Sequence, residues 1–192
     1  MPKLTGERGA SGIRGGAALA RELDRMAAEN SVKGLHAKVN YLTGSVGGQE
    51  AMIAAGIDLT NKSTHSTVLG WLSDEELHPG VGITHANARR VDEAYAARRR
   101  HTTGPHLKRR LSRDGGAQAE VHPVDQAAVA QKYRRELRQA RVNIRPSDWE
   151  SIVDAWDEGN DAELDTIWDD IADDQLYPPG AYALVSGIGI NA

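Results

Sequence analysis

The chain contains no cysteine. That excludes disulfides, thiolate metal sites and thiol nucleophiles, and it fits a reducing, cytoplasmic setting. Phenylalanine is absent too, and aromatic residues reach only 5% of 192 residues, within a hydrophobic share of 40%. One large core is hard to build from such material, and two small ones are easier. No apolar run approaches the roughly 20 residues that span a bilayer, so no membrane association is expected. Lys3, Arg8 and Arg14 have no apolar segment behind them, so the N-terminal stretch does not read as a secretory signal. Neither G-x-x-x-x-G-K-[ST] nor G-x-S-x-G occurs. The seven histidines lack ligand-like spacing, and His101 and His106 are separated by a Gly-Pro pair. No metal or other cofactor is expected, and no enzymatic activity.

One further absence says more than the rest. From Asp148 to Asp174 there is no lysine or arginine, against 12 acidic residues. The remainder of the chain holds 23 basic and 15 acidic side chains, so the formal net charge of −4 conceals a basic body. Residues 85–145 alone carry 15 Lys/Arg and 6 Asp/Glu. A basic body joined to an acidic module is the pattern of a DNA-binding protein with an attached interaction domain. The alternative is that both runs are solvated faces of one ordinary domain. Asp169-Asp170 and Asp173-Asp174 read as the wet face of a helix rather than a cation site.

Periodicity organises the rest. Residues 1–16, rich in glycine, read as a flexible tail. Leu19, Leu23 and Met26 share one face of a helix over 17–28, and further helices are expected over 35–42 and 49–55, the latter stopped by Gly56. Another runs over 64–73, with Val68, Trp71 and Leu72 as its apolar stripe, followed by a loop over 74–82. Residues 86–100 form a strong helix that turns Ala88, Val91, Ala94 and Tyr95 inward and Arg89, Arg90 and Arg98 to Arg100 outward. Thr102-Thr103-Gly104-Pro105 reads as a hinge. Strands are expected over 118–124 and 137–144. Ser147 and Glu150 form a capping box, opening a helix whose Trp149, Ile152, Val153 and Trp156 lie on one face. Leu164, Ile167, Trp168 and Ile171 repeat that spacing after Gly159 and Asn160, and 182–190 alternate as a closing strand.

The segment 49–100 is the strongest functional lead. A short helix ending at Gly56-Ile57, then a polar stretch, then a helix burying Val68 and Trp71 describes a helix-turn-helix unit. On that geometry Thr64 caps the second helix, and His65, Ser66 and Thr67 lie nearest base edges or phosphates. The connection, residues 58 to 63, is longer than the usual few residues. Lys62, Arg89, Arg90, Arg98, Arg99, Arg100, Lys108, Arg109 and Arg110 supply cations for phosphates.

The runs Ile53-Ala-Ala-Gly-Ile57, Thr67-Val-Leu-Gly-Trp-Leu72 and Ala86-Asn-Ala-Arg-Arg-Val-Asp-Glu-Ala-Tyr95 resemble the helix-turn-helix part of actinobacterial telomere terminal proteins of the Streptomyces type. The distal run Trp149, Ile152-Val-Asp-Ala-Trp-Asp-Glu-Gly-Asn-Asp-Ala-Glu-Leu164 and Val185-Ser-Gly-Ile-Gly-Ile190 is similar to that family as well. The resemblance covers about two-thirds of the chain, and related plasmid or phage regulators share the layout. It implies protein-primed DNA synthesis at a linear replicon end, in which a hydroxyl attacks the α-phosphorus of the first nucleotide and a polymerase performs the catalysis. Thr102 and Thr103 best meet the need for an exposed, flexible acceptor, with Ser112 next.

The expected fold is mainly α with a small α+β part. Its parts are a tail (1–16), a helix-turn-helix DNA-binding domain (17–101), a basic linker (102–117) and an acidic α+β interaction domain (118–192). The expected partners are DNA and, through the acidic domain, a polymerase or telomere-associated protein, with a homodimer as a further expectation. The setting is the nucleoid. The alternatives are a transcriptional regulator of a plasmid, phage or mobile element, and an adaptor that works through its acidic hairpin without DNA.

Overall fold

The structure, a computed structural model, describes residues 4–6, 10–29, 31–72 and 83–191. It is mainly helical with a smaller antiparallel sheet. In chain order the elements are β1 (Leu4–Gly6), β2 (Ala10–Arg14), α1 (Gly15–Ala27), α2 (Leu35–Thr43), α3 (Val46–Ala54), α4 (Lys62–Leu72), α5 (His85–Leu111), β3 (Gln118–Pro123), β4 (Ala140–Asn143), α6 (Pro146–Glu158), α7 (Asp161–Gln175) and β5 (Leu184–Asn191). They divide into two compact units, Met1–Ala28 with Thr103–Ala192, and Glu29–Thr102. The second unit is thus inserted into the first. The expected loop over 74–82 lies outside the described residues.

The first unit is an antiparallel sheet in the order β1-β2-β5-β3-β4, covered by α1, α6 and α7. Its core joins Leu19 and Leu23 of α1 to Trp149, Ile152, Val153 and Trp156 of α6. Leu164 and Trp168 of α7 and Val121, Val142 and Val185 of the sheet complete it. The two stripes read from sequence are therefore the buried faces of the hairpin. A buried indole N–H needs an acceptor, and each of these three has one. Trp149 Nε1 donates to Ala117 O at 3.1 Å, Trp156 Nε1 to Asp24 Oδ1 at 3.0 Å, and Trp168 Nε1 to Tyr182 O at 2.9 Å.

Four sequence expectations are corrected in this unit. Residues 10–14 of the expected tail form β2, where Ile13 pairs with Val185 and Arg14 with Leu184, and Ser11 exchanges two backbone hydrogen bonds with Asp125. A glycine-rich stretch carries little strand signal of its own, and here the partner backbone supplies the pairing. α1 packs on α7 and β5, so it belongs to this unit rather than to a domain over 17–101. The expected linker 102–117 is helical to Leu111. Gly104 and Pro105 would ordinarily cost roughly 1 and 3 kcal/mol in a helix. Burial of Leu107 and Leu111 in the core offsets them. Finally, Ser147 does not cap α6. Arg145 is the N-cap, Pro146 takes the first helical position where its missing N–H costs nothing, and Arg145 O accepts from both Asp148 N and Trp149 N.

The second unit is built on α2, against which both α3 and α4 pack. Val39, Leu42, Met52, Ile57, Val68, Val91, Ala94 and Tyr95 form its core. Tyr95 ties α5 to this bundle: its hydroxyl accepts from Val32 N at 2.9 Å, and its ring meets Tyr41 edge-on at 5.3 Å. Ser45 caps α3 by accepting from Gly48 N at 3.1 Å. Gly48 lets α3 start directly on the end of α2, because any Cβ there would overlap the Leu42 carbonyl. Gly56, at φ 84°, ends α3 in the left-handed region as its position in the sequence suggests.

Candidate nucleic-acid interface

Exposure on α4 follows from the burial of Val68. With that residue fixed inside, the preceding two turns point Lys62, Ser63, His65, Ser66 and Thr67 outward, while Thr64 is half-buried. Thr64 is not the cap. The Asn61 side chain accepts from Ser63 N at 2.9 Å and from Thr64 N at 3.4 Å, which starts α4 earlier than read from sequence. Thr60 donates to Asp58 through both its N and Oγ1, at 3.0 and 2.5 Å. These bonds hold the Asp58 carboxyl below its ordinary range and order the turn into α4. The Thr67 hydroxyl donates to Ser63 O at 2.9 Å, so towards a ligand it has lone pairs rather than a proton to offer. Trp71 is half-buried beside Val68.

α5 carries further cations within the second unit. Arg89 and Arg90 are exposed, Arg89 lying 3.5 Å from Glu93 and Arg90 donating to Asn87 Oδ1 at 3.5 Å. Arg98, Arg99 and Arg100 are half-buried rather than fully outward. The Arg98 guanidinium lies against Gly47, where an added Cβ would stand 2.5 Å from Nη1, and so sits at the start of α3. A guanidinium next to the positive end of a helix dipole makes a locally electropositive spot. Arg99 Nη2 donates to Glu29 O at 3.3 Å.

The remaining expected residues belong to other surroundings. Thr102 and Thr103 are not on a flexible segment. Both lie inside α5, where Thr102 Oγ1 donates to the carbonyls of Arg98 and Arg99 at 3.0 and 3.1 Å and Thr103 is half-buried. Lys108, Arg109 and Arg110 fall in the first unit. Lys108 pairs with Asp154 at 2.5 Å and so offsets one carboxylate of the acidic hairpin. Arg109 is exposed and Arg110 half-buried.

The acidic run is not a bare polyanion. Arg14 Nε binds Asp165 at 2.8 Å with Asp169 3.9 Å away, and Arg145 holds Asp148 at 2.9 Å. Partial burial and the neighbouring carboxylates of Asp165, Asp173 and Asp170 push the Asp169 carboxyl up, against the pull of Arg14. Sequence reasoning missed these pairings because every cation in them lies outside the 148–174 run. It also missed Asn61 and Ser45 as caps, although Asn and Ser just ahead of helical runs are ordinary N-cap signals. Among the described residues no cluster of His, Asp and Glu suits a metal, and no helix is long and apolar enough to cross a membrane. No family model matches the chain, and no curated protein or solved structure matches it either.

Proposed function

We propose that the protein binds duplex DNA through its second unit, with the start of α4 entering a major groove. One observation carries this reading: Val68 is buried while Lys62, His65, Ser66 and Thr67 stand exposed on the turns before it. α2, α3 and α4 then play the parts of a helix-turn-helix core, and Arg89, Arg90 and Arg98 to Arg100 supply phosphate contacts. The role that best unites this surface with the resemblance is that of a terminal-protein-like factor at linear replicon ends. The protein would act there as scaffold and substrate rather than as enzyme, with a polymerase or telomere-associated protein on the acidic hairpin.

A second reading gains from one feature. Because Thr102 and Thr103 lie within α5, a nucleotide-accepting hydroxyl there is poorly placed, and a transcriptional regulator needs none. That reading expects a palindromic operator and a stable dimer. The test is selection of bound sequences from a random duplex pool, followed by titration of the Lys62→Ala and Ser66→Ala variants. DNA binding through α4 predicts an enriched sequence and a loss of about 1–3 kcal/mol for each base-contacting residue. An unenriched pool sinks it. Two-fold symmetry in the enriched sequence favours the regulator, and an asymmetric replicon-end sequence favours the terminal role.

A further inference from the structure

A recess in the first unit, about 910 Å³, lies where α5 ends, and it is lined by His106, Arg109, Arg110, Arg113, Asp114 and Asn191 with the small residues Gly116 and Ala117. The chain turns back there through three consecutive positive-φ residues, Asp114 at 53°, Gly115 at 89° and Gly116 at 105°. Gly116 is required, because a Cβ would overlap the Ile144 carbonyl. This turn brings Arg113 alongside the last turn of α5. Three guanidiniums and an imidazole therefore share one opening with a single carboxylate. Among the described residues, Arg109, Arg113 and Asp114 have no ion-pair partner. Lys108, one residue from Arg109, is by contrast paired with Asp154.

Basic residues in a last helical turn complement the helix dipole, which accounts for Lys108, Arg109 and Arg110. It does not account for Arg113, which lies beyond the helix. Like charges gathered around a concavity repel one another and focus field on whatever anion enters it. The lining holds no Phe, Tyr or Trp ring and no large apolar side chain, so it offers no broad stacking platform, and what it presents is mainly charge. Arginine forks, on the other hand, match phosphate oxygens in pairs.

We infer that this recess is a second DNA contact, one that grips the sugar-phosphate backbone without reading its sequence. It rests on the DNA-binding reading above and gives the first unit a DNA contact of its own. Arg109 and Arg113 are the phosphate forks.

The test uses the full chain and fluorescence anisotropy of a mixed-sequence duplex and the selected duplex over a salt series. Four proteins are compared: wild type, Arg109→Ala/Arg113→Ala, Arg109→Lys/Arg113→Lys, and Lys62→Ala/Ser66→Ala. Both arginines are exposed, and circular dichroism checks that each variant is folded. Loss of two phosphate contacts should reduce the slope of log affinity against log salt by about 2 on both duplexes, leaving the preference between them intact. The lysine pair should keep the slope and bind more weakly. The α4 variant should lose the preference, and its slope should fall by no more than about 1, the single charge of Lys62. A wild-type slope in Arg109→Ala/Arg113→Ala overturns the inference while leaving α4 recognition standing. A normal preference in the α4 variant, beside a reduced slope in the arginine variant, sinks the α4 reading and leaves the recess standing. Displacement of DNA by free dAMP at matching phosphate concentration assigns the recess to mononucleotides and overturns the backbone role. No DNA binding by the wild type overturns both.

Discussion

The side-chain amide of Gln175 closes on the main chain of Asn143 from both directions. Its Oε1 accepts from Asn143 N at 2.9 Å, and its Nε2 donates to Asn143 O at 2.9 Å. Asn143 is the last residue of β4, the outermost strand on its side of the sheet. An edge strand offers unpaired N–H and C=O groups to other chains, and here α7 supplies a short mimic of a neighbouring strand.

Replacing Gln175 with Ala removes both bonds at an exposed position, so a stability loss of about 1–2 kcal/mol is expected in urea unfolding. Gln175→Glu keeps an acceptor towards Asn143 N but sets an anion against Asn143 O, and it should unfold at lower urea than the alanine variant. Equal stability of all three proteins would refute the strand-mimic role.

Trp168→Phe keeps most of the ring but leaves the buried Tyr182 carbonyl without its indole donor. A cost of about 1–3 kcal/mol is expected. The control is an exposed site such as Tyr177, 87% accessible, where Tyr177→Phe should leave the unfolding midpoint unchanged.

Gly48→Ala drives a methyl into the Leu42 carbonyl, a backbone atom that cannot rotate away. The overpacking cost is about 1–3 kcal/mol. Hydrogen exchange should show it confined to residues 29–102, with amides of β3 and β5 protected as in the wild type. DNA binding through α4 should weaken in parallel.

Two carboxylates should pull stability in opposite directions with pH. The hydrogen bond from Arg25, and beyond it the amide of Ile190, hold Glu22 below its ordinary value despite partial burial. Its contribution is present above the ordinary glutamate range and disappears as pH falls through the lower folded-state value. Asp169 is shifted upward, so its contribution is complete below the ordinary aspartate range and is lost as pH rises through the raised value. Glu22→Gln should therefore flatten the acid limb of a stability–pH curve, whereas Asp169→Asn should raise stability at neutral pH. Solvent screens Asp169, whose side chain is 40% exposed, so its effect is the smaller one.

What could be read from the residues, and what could not, divides along physical lines. α6 and α7 carry their own evidence, since apolar residues at helical spacing, a left-handed Gly159 and the Asn160 cap all act locally. β5 was legible from Ile188 and Ile190, but the buried Val185 lies off that alternation, where the pairing with β3 shifts register at His122 and Pro123. β2 was not, because Ser11, Gly12 and Ile13 become a strand only beside Val185 and Asp125, far along the chain. The hinge expected at Thr102 to Pro105 rests on a correct local penalty that burial of Leu107 and Leu111 outweighs. In the surface proposed to bind DNA, the exposure of α4's first turns followed from the stripe through Val68. The placement of Arg98 over Gly47 depends on packing between α3 and α5 and leaves no mark in spacing. The same holds for Arg113, whose surroundings are set by a turn rather than by a periodic element.

Insertion of the second unit into the first has a consequence for the order of synthesis. α1 leaves the ribosome early, yet α7 and β5, against which it packs, are made last. The second unit is different: all of its core, from Val39 to Tyr95, has been translated while α6, α7 and β5 are still to come. Arg99 then bonds to Glu29 O, drawing together the two ends of that unit. The helix proposed to enter the groove can therefore assemble co-translationally, and a nascent chain stalled after residue 140 should hold a finished second unit while α1 is still without its partners.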